Sequence, residues 1–498
     1  MREIDVCSYD PEDAFTYYNR GCVHLDMKNY DRAIINYNQA IELDSGYIDA
    51  YFNRGLAYTR RNNINDQDQA IKDYSQIIIL DSKDASAYFN RAVAYRKKGN
   101  FDQAIVNYNQ AINLDSSYTD AYFNRGRAFE GKGDWDHAFD NYNQIINLDP
   151  SYIYAYLRRS VVHTVKGNYD QALADLDQAI DLDPNCIDAY SARSMIHTGK
   201  GNYDQALADC SKAIDLDPHN ASAYASRCFI FSEKGDYDQA LSDSSRALEL
   251  DPNNGRAIFV RGWTYLSMGN YEQAIPHLSQ AITLEPWNAR AHFSRGNAYL
   301  QSKNYDQAIT DFSQAIVQEH NFTEAYVLRA MAYFEIDDYS QAITDFSQAI
   351  ELNPDNDLAY YYRGNAYLKI ANYDLAIADY SQAILLDPKY PNAHYKRGVA
   401  YLNMANYDLA IEDQSQAIFL DPKDADAYYK RGNAYLKIAN YDLAIADYSQ
   451  AISLDPDYSY SYYANAYYER GLAYSEKGNT EQAEKDFAKA RELGCEIR

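Results

Sequence analysis

The sequence repeats itself about every 34 residues, and that period constrains the fold more than any other feature. The pattern A-Y-x-x-R-G-x-A-Y…N-Y-D-x-A-I-x-D-Y-x-Q-A-I-x-L-D-P recurs in fourteen copies, beginning at Ala14, Ile48, Ala85, Thr119, Ile153, Ile187, Ala221, Gly255, Ala289, Thr323, Asp357, Pro391, Ala425 and Ala464. Repeat 2 carries three extra residues around NNIND (62–66), and five, including YSYS (458–461), precede repeat 14. Numbering each copy from 1, apolar or small residues fall at 4, 8 and 11, then at 20, 21, 24, 27 and 28. These are two runs of helical period parted by a G-N-Y-D-like break, so each copy is expected to be a helical hairpin. Asn and Asp in the break cap the second helix and complement its dipole. That helix is expected to stop at L-D-P, where nine of the twelve prolines stand.

Position 20 is alanine in all fourteen copies, and position 27 in all but two, where Ile77 and Ile145 stand instead. On these residues the chain resembles the tetratricopeptide repeat family over residues 14–498, with Tyr usually replacing the family's Trp at position 4 and Arg its Leu at position 7. The resemblance implies an all-α fold, a right-handed superhelical solenoid whose concave groove is lined by the first helix of each repeat. Residues 1–13 are expected to form a short N-terminal segment ahead of one continuous solenoid. A polar capping helix is expected within 479–494, because Glu484 and Arg491 replace the apolar residues of positions 21 and 28.

Position 7 is arginine in every copy, from Arg20 to Arg470, among aromatic and small neighbours where a lone charge is costly. The second helix supplies a matching acid at position 23: Asp73, Asp175, Asp209, Asp243, Asp311, Asp345, Asp379, Asp413, Asp447 and Asp486. Repeats 1, 3 and 4 have Asn36, Asn107 and Asn141 there, and repeat 8 has His277. The expected role is structural, an Arg–Asp pair joining the two helices of a repeat through two directed bonds.

First-helix positions 2, 5, 6, 9, 12 and 13 face the groove if the resemblance holds, and there basic and acidic residues balance at eleven each. Position 6 is Asn19, Asn53, Asn90 and Asn124 in the first four repeats, beside Tyr18, Phe52, Phe89 and Phe123 at position 5. A ladder of amides can pair with the backbone of an extended peptide whatever its side chains, and the rings offer surfaces to pack on. Arg60, Arg96, Lys97, Arg127 and Arg158 would favour acidic residues in that peptide. A second, lesser patch combines Tyr361, Tyr395 and Tyr429 with Lys396, Lys430, Asn365, Asn433, Lys369 and Lys437. It lies partly within an internal duplication, since residues 363–384 equal 431–452.

The net charge of -26 argues against nucleic acid or an anionic membrane as partner. Six irregularly spaced cysteines suit reduced thiols, and a cytoplasmic location is expected. No phosphate-binding, nucleophile or metalloprotease motif is present, so neither enzyme activity nor a cofactor or metal is expected. His163 and His197 with Cys210 and Cys228 follow the spacing of stacked repeats rather than that of a zinc site. The expected function is a noncatalytic scaffold that binds extended segments of partner proteins. The alternative is a self-assembling or dimerising solenoid.

Overall fold

The structure, a computed structural model, describes residues 13–61, 63, 66–454 and 460–495, with side chains from 464 onward in the last stretch. Residues 1–12, most of the NNIND insertion, Pro456 and much of the YSYS insertion lie outside the described residues. Every repeat is a pair of α-helices, from Ala14–Asp26 with Tyr30–Leu43 to Tyr460–Glu476 with Thr480–Glu492, and no strand occurs among the described residues. The chain is thus an all-α solenoid of tandem hairpins. The helices group into two compact units, residues 1–230 and 231–498.

The turn inside each hairpin follows from one residue in the left-handed region at position 15. It is glycine in several repeats, such as Gly99 (φ 76°) and Gly133 (φ 75°), but Ala371 (φ 58°), Ala405 (φ 58°) and Ala439 (φ 57°) in repeats 11 to 13. That conformation returns the next N–H to the first helix, as from Asn100 to the Tyr95 carbonyl at 2.9 Å. The Asn100 side chain then accepts from the Gln103 N–H and caps the second helix, as expected. After L-D, the aspartate accepts an N–H two residues on, as Asp387 does from Lys389, and this turn leads into the next repeat.

Packing explains the invariant small positions. The alanines at 20 and 27 are fully buried in nearly all described repeats. Glycine at position 8 lies under the ring at position 24: a Cβ on Gly126 would sit 2.8 Å from the Tyr142 ring, and one on Gly364 2.8 Å from Tyr380. In repeats 6 and 7 the large ring at position 24 is replaced by Cys210 and Ser244, and these and the position-8 residues Ser194 and Cys228 are all buried.

The position-7 arginines do what their spacing predicts. In repeats 2, 5, 6 and 9 to 14, Nε and Nη2 donate to both carboxylate oxygens of the position-23 aspartate at 2.5–3.0 Å. Arg91 and Arg125 use Nε alone, on Asn107 and Asn141 at 2.7 Å. The remaining nitrogen, Nη1, reaches position 25 of the preceding repeat, as from Arg54 to Asn38 (2.7 Å) and Arg397 to Ser381 (2.9 Å). These arginines therefore tie three helices rather than two, and most lie over the position-4 tyrosine ring of their own helix, Arg125 over Tyr122 at 5.2 Å. Repeat 8 is the exception: Arg261 Nε is buried without a partner, and His277 stacks on Tyr265 instead.

Candidate functional site

Successive first helices touch along most of each unit, whereas no two second helices come as close among the described residues. The first helices thus form an inner face, and in the unit of residues 1–230 two adjoining cavities open on it. One, of about 650 Å³, is bounded by Asn124, Arg127, Tyr154, Leu157 and Arg158. The other, of about 410 Å³, is apolar and is bounded by Val161, Val165, Met195 and Ile196. Val161 and Ala192 belong to both. Their linings fall mainly at positions 2, 5, 6, 9, 12 and 13, the set the resemblance implies.

Arg127 and Arg158 line the first cavity together with Asp120 and Asp188, and Arg96 neighbours Arg127. Arg158 pairs with Glu130, which also accepts from the Tyr142 hydroxyl at 2.7 Å. Burial alone would lower the Arg158 pKa, and the bond to Glu130 outweighs it and raises it. Arg127, an exposed residue, is lowered by partial burial and then by its neighbours Arg96 and Arg158. Arg96 Nε and Arg158 Nε are buried and have no hydrogen-bond partner among the described residues. Two buried donors here are therefore left without a partner among the described residues. Lys97 instead donates to the Thr59 carbonyl at 2.9 Å, and Arg60 is exposed at the end of its helix.

The four asparagines do not form one uniform ladder. Asn19 is exposed, and Asn53 donates to the Tyr18 hydroxyl at 3.1 Å. Asn90 and Asn124 each donate one N–H to their own helix, to the Ser86 and Asp120 carbonyls. The rings beside them are half-buried and packed on rings of their own repeat: Tyr18 on Tyr47, Phe52 on Tyr74, Phe89 on Tyr118, Phe123 on Tyr142 and Tyr152. The structure brings Phe123, Asn124, Arg127 and Arg158 into one cavity and leaves Asn19 and Arg60 outside it. Sequence reasoning missed the adjoining apolar cavity. Its signal was the run Leu157, Val161, Val165 and Met195 at inner positions, where most other repeats alternate polar and apolar residues.

The second patch is closed on itself. Asn365 accepts from the Tyr380 hydroxyl at 2.9 Å and Asn433 from Tyr448 at 2.8 Å, while Lys396 and Lys430 lie over Tyr395 and Tyr429. Burial lowers both lysine pKa values, with Lys369 adding to the effect at Lys396. Among the described residues, no cluster of His, Cys, Asp and Glu is placed to hold a metal, and no helix is long and apolar enough to cross a membrane.

Family models described as TPR repeat match residues 94–133, 330–370, 372–404 and 406–438. Others described as Tetratricopeptide repeat match 14–47, 120–152, 164–221, 231–275, 259–322, 425–458 and 464–493. No match was found among curated protein sequences. Among solved structures, the chain is similar to the APC/C hetero-tetramer Cut9-Hcn1, at 15% identity over 94% of this chain and 97% of that one (TM-score 0.45). It is also similar to a tetratricopeptide repeat protein from Parabacteroides merdae, at 18% identity over 50% and 99% (TM-score 0.42). A third similarity is to MamA, at 25% identity over 35% and 94% (TM-score 0.33).

Proposed function

The chain belongs to the tetratricopeptide repeat family, whose members typically mediate protein–protein interaction, and from that premise we propose that it is a noncatalytic scaffold holding an extended segment of a partner protein on the inner face of repeats 3 to 6. The observation that supports this reading is the Arg96–Arg127–Arg158 cluster, in which Glu130 pairs with Arg158, beside a cavity of about 650 Å³ in a chain of net charge -26. Cations kept on the inside of an acidic protein, two of them with unused buried donors, suit a segment that carries Asp or Glu. The neighbouring apolar cavity suits an aliphatic side chain of the same segment. The asparagines contribute at most their carbonyl oxygens and remaining N–H groups to its backbone.

The test uses fluorescein-labelled twelve-residue peptides of Ser and Gly bearing Glu and Leu at varied spacings, read by anisotropy. Peptides with both residues bind the full chain, and Arg96→Gln with Arg127→Gln weakens them at least tenfold without moving the melting curve. Binding that is unchanged in this variant contradicts the reading.

A further inference from the structure

The edge of the stack at the hairpin turns changes character within the unit of residues 231–498. At six junctions elsewhere, a cation at position 14 pairs with the aspartate at position 18 of the preceding repeat. These pairs are Arg61–Asp31, Lys98–Asp68, Lys132–Asp102, Lys166–Asp136, Lys200–Asp170 and Lys477–Asp442. In repeats 11 to 13 position 14 is instead Ile370, Met404 and Ile438, as it is already Met268 in repeat 8 and Ile336 in repeat 10. Position 19, which is glutamine in nine of the other repeats, becomes Leu375, Leu409 and Leu443 in repeats 11 to 13. All six side chains of these three repeats are 37–50% exposed. The aspartates stay: Asp374 and Asp408 have lost the cation that would arrive from the next repeat, and neither has a cation partner among the described residues.

Repeat 12 shares the run ANYDLAI (405–411) with repeats 11 and 13, so the leucine at position 19 is common to all three, while its position 14 is Met404 in place of isoleucine. At position 19 a polar residue has thus been replaced by leucine in three successive repeats whose position 14 is also apolar, an exposed row of a kind that marks interaction sites. Its flanking carboxylates define the complement. A second copy of the same edge would oppose carboxylate to carboxylate and is disfavoured; an anionic membrane surface is disfavoured for the same reason.

We infer that the turn edge of repeats 11 to 13 docks a cationic amphipathic helix of a partner protein, its apolar stripe on Leu375, Leu409 and Leu443 and its flanking Lys or Arg on Asp374 and Asp408. This site is separate from the inner face and stands whether or not a peptide binds there.

The probe is a labelled sixteen-residue model helix with Leu at i, i+3, i+4 and i+7, Lys on both sides of that stripe and Ala elsewhere, titrated into the full chain. A twin with Glu replacing Lys and a scramble of the same composition are the controls. Leu375→Gln with Leu409→Gln and Leu443→Gln leaves the protein's charge unaltered and installs the residue of other repeats; it is expected to weaken the Lys helix at least tenfold. Ile370→Lys with Ile438→Lys has the same expected effect and guards against a folding defect in the first variant. Asp374→Asn with Asp408→Asn should weaken binding several-fold. Equal binding of the scramble, of the Glu twin, or of both edge variants overturns the inference. So does a concentration-dependent dimer in light scattering that the glutamine variant abolishes, which would assign the edge to a second copy.

Discussion

The inner faces of repeats 3 to 5 and of repeats 11 to 13 are built from the same residue types, aromatic, amide and cation, yet they spend their polar groups differently. In repeats 11 and 13 the amides of Asn365 and Asn433 accept from core tyrosines, and Lys396 and Lys430 cover neighbouring rings. In repeats 3 to 5 the amides of Asn90 and Asn124 bond only their own helices, and Arg96 and Arg158 each keep a buried Nε–H without an acceptor. A surface whose hydrogen bonds are closed internally contributes stability, whereas one with open donors holds them for something else. Composition alone does not separate the two patches; the destination of each bond does.

The largest expected difference lies at position 7. Arg397→Leu strands the buried carboxylate of Asp413 and should cost about 3–5 kcal/mol, less what the His394 contact at 3.2 Å retains. Arg125→Leu strands only the neutral amide of Asn141 and should cost about 1–2 kcal/mol. Urea titrations of the two variants compare them, and adding Asp413→Leu to Arg397→Leu should restore part of the loss. Equal losses at both sites would erase the distinction between carboxylate and amide partners.

Next in size are the amides. Asn365→Ala leaves the Tyr380 hydroxyl without its acceptor and is expected to cost about 1–3 kcal/mol, as is Asn433→Ala at Tyr448. Asn90→Ala and Asn124→Ala remove only bonds to their own helices and should stay within about 0.5 kcal/mol. Similar melting shifts for the two pairs would mean that both patches are equally structural.

A smaller effect, of opposite sign, separates the hairpin turns. Position 15 is already Gly99, Gly133 and Gly167 in repeats 3 to 5, but Ala371, Ala405 and Ala439 hold the same left-handed conformation in repeats 11 to 13. Replacing each of these alanines by glycine should stabilise by about 1 kcal/mol per site, seen as a higher midpoint in thermal melts. No gain would show that the alanine turns carry no strain.

Much of the fold was legible because it is periodic: the two helical runs, the caps and the Arg–Asp spacing recur in register and reinforce one another. The third bond of each arginine was not legible. Its partner at position 25, Asn38 or Ser381 for example, is a short polar residue on a second helix, and only the stacking of one repeat on the next brings it within reach. At the candidate site the cations were legible as residue types, but whether a guanidinium is satisfied depends on neighbours one repeat away, as Glu130 is for Arg158. The role of Asn365 was hidden for a similar reason, since its partner Tyr380 lies on the facing helix and is marked in the sequence only as a core ring.

The most direct test of the account is a side-by-side binding measurement on two charge-matched variants of the full chain, Arg96→Gln with Arg127→Gln and Lys396→Gln with Lys430→Gln, titrated with the same Glu- and Leu-bearing peptide at low and high salt. The inner-face cations of repeats 3 and 4 predict at least a tenfold loss of affinity for the arginine variant and a loss of its salt dependence, against less than a twofold change for the lysine variant. Equal losses in both, or a larger loss in the lysine variant, would contradict the claim that unsatisfied inner-face donors mark the binding site.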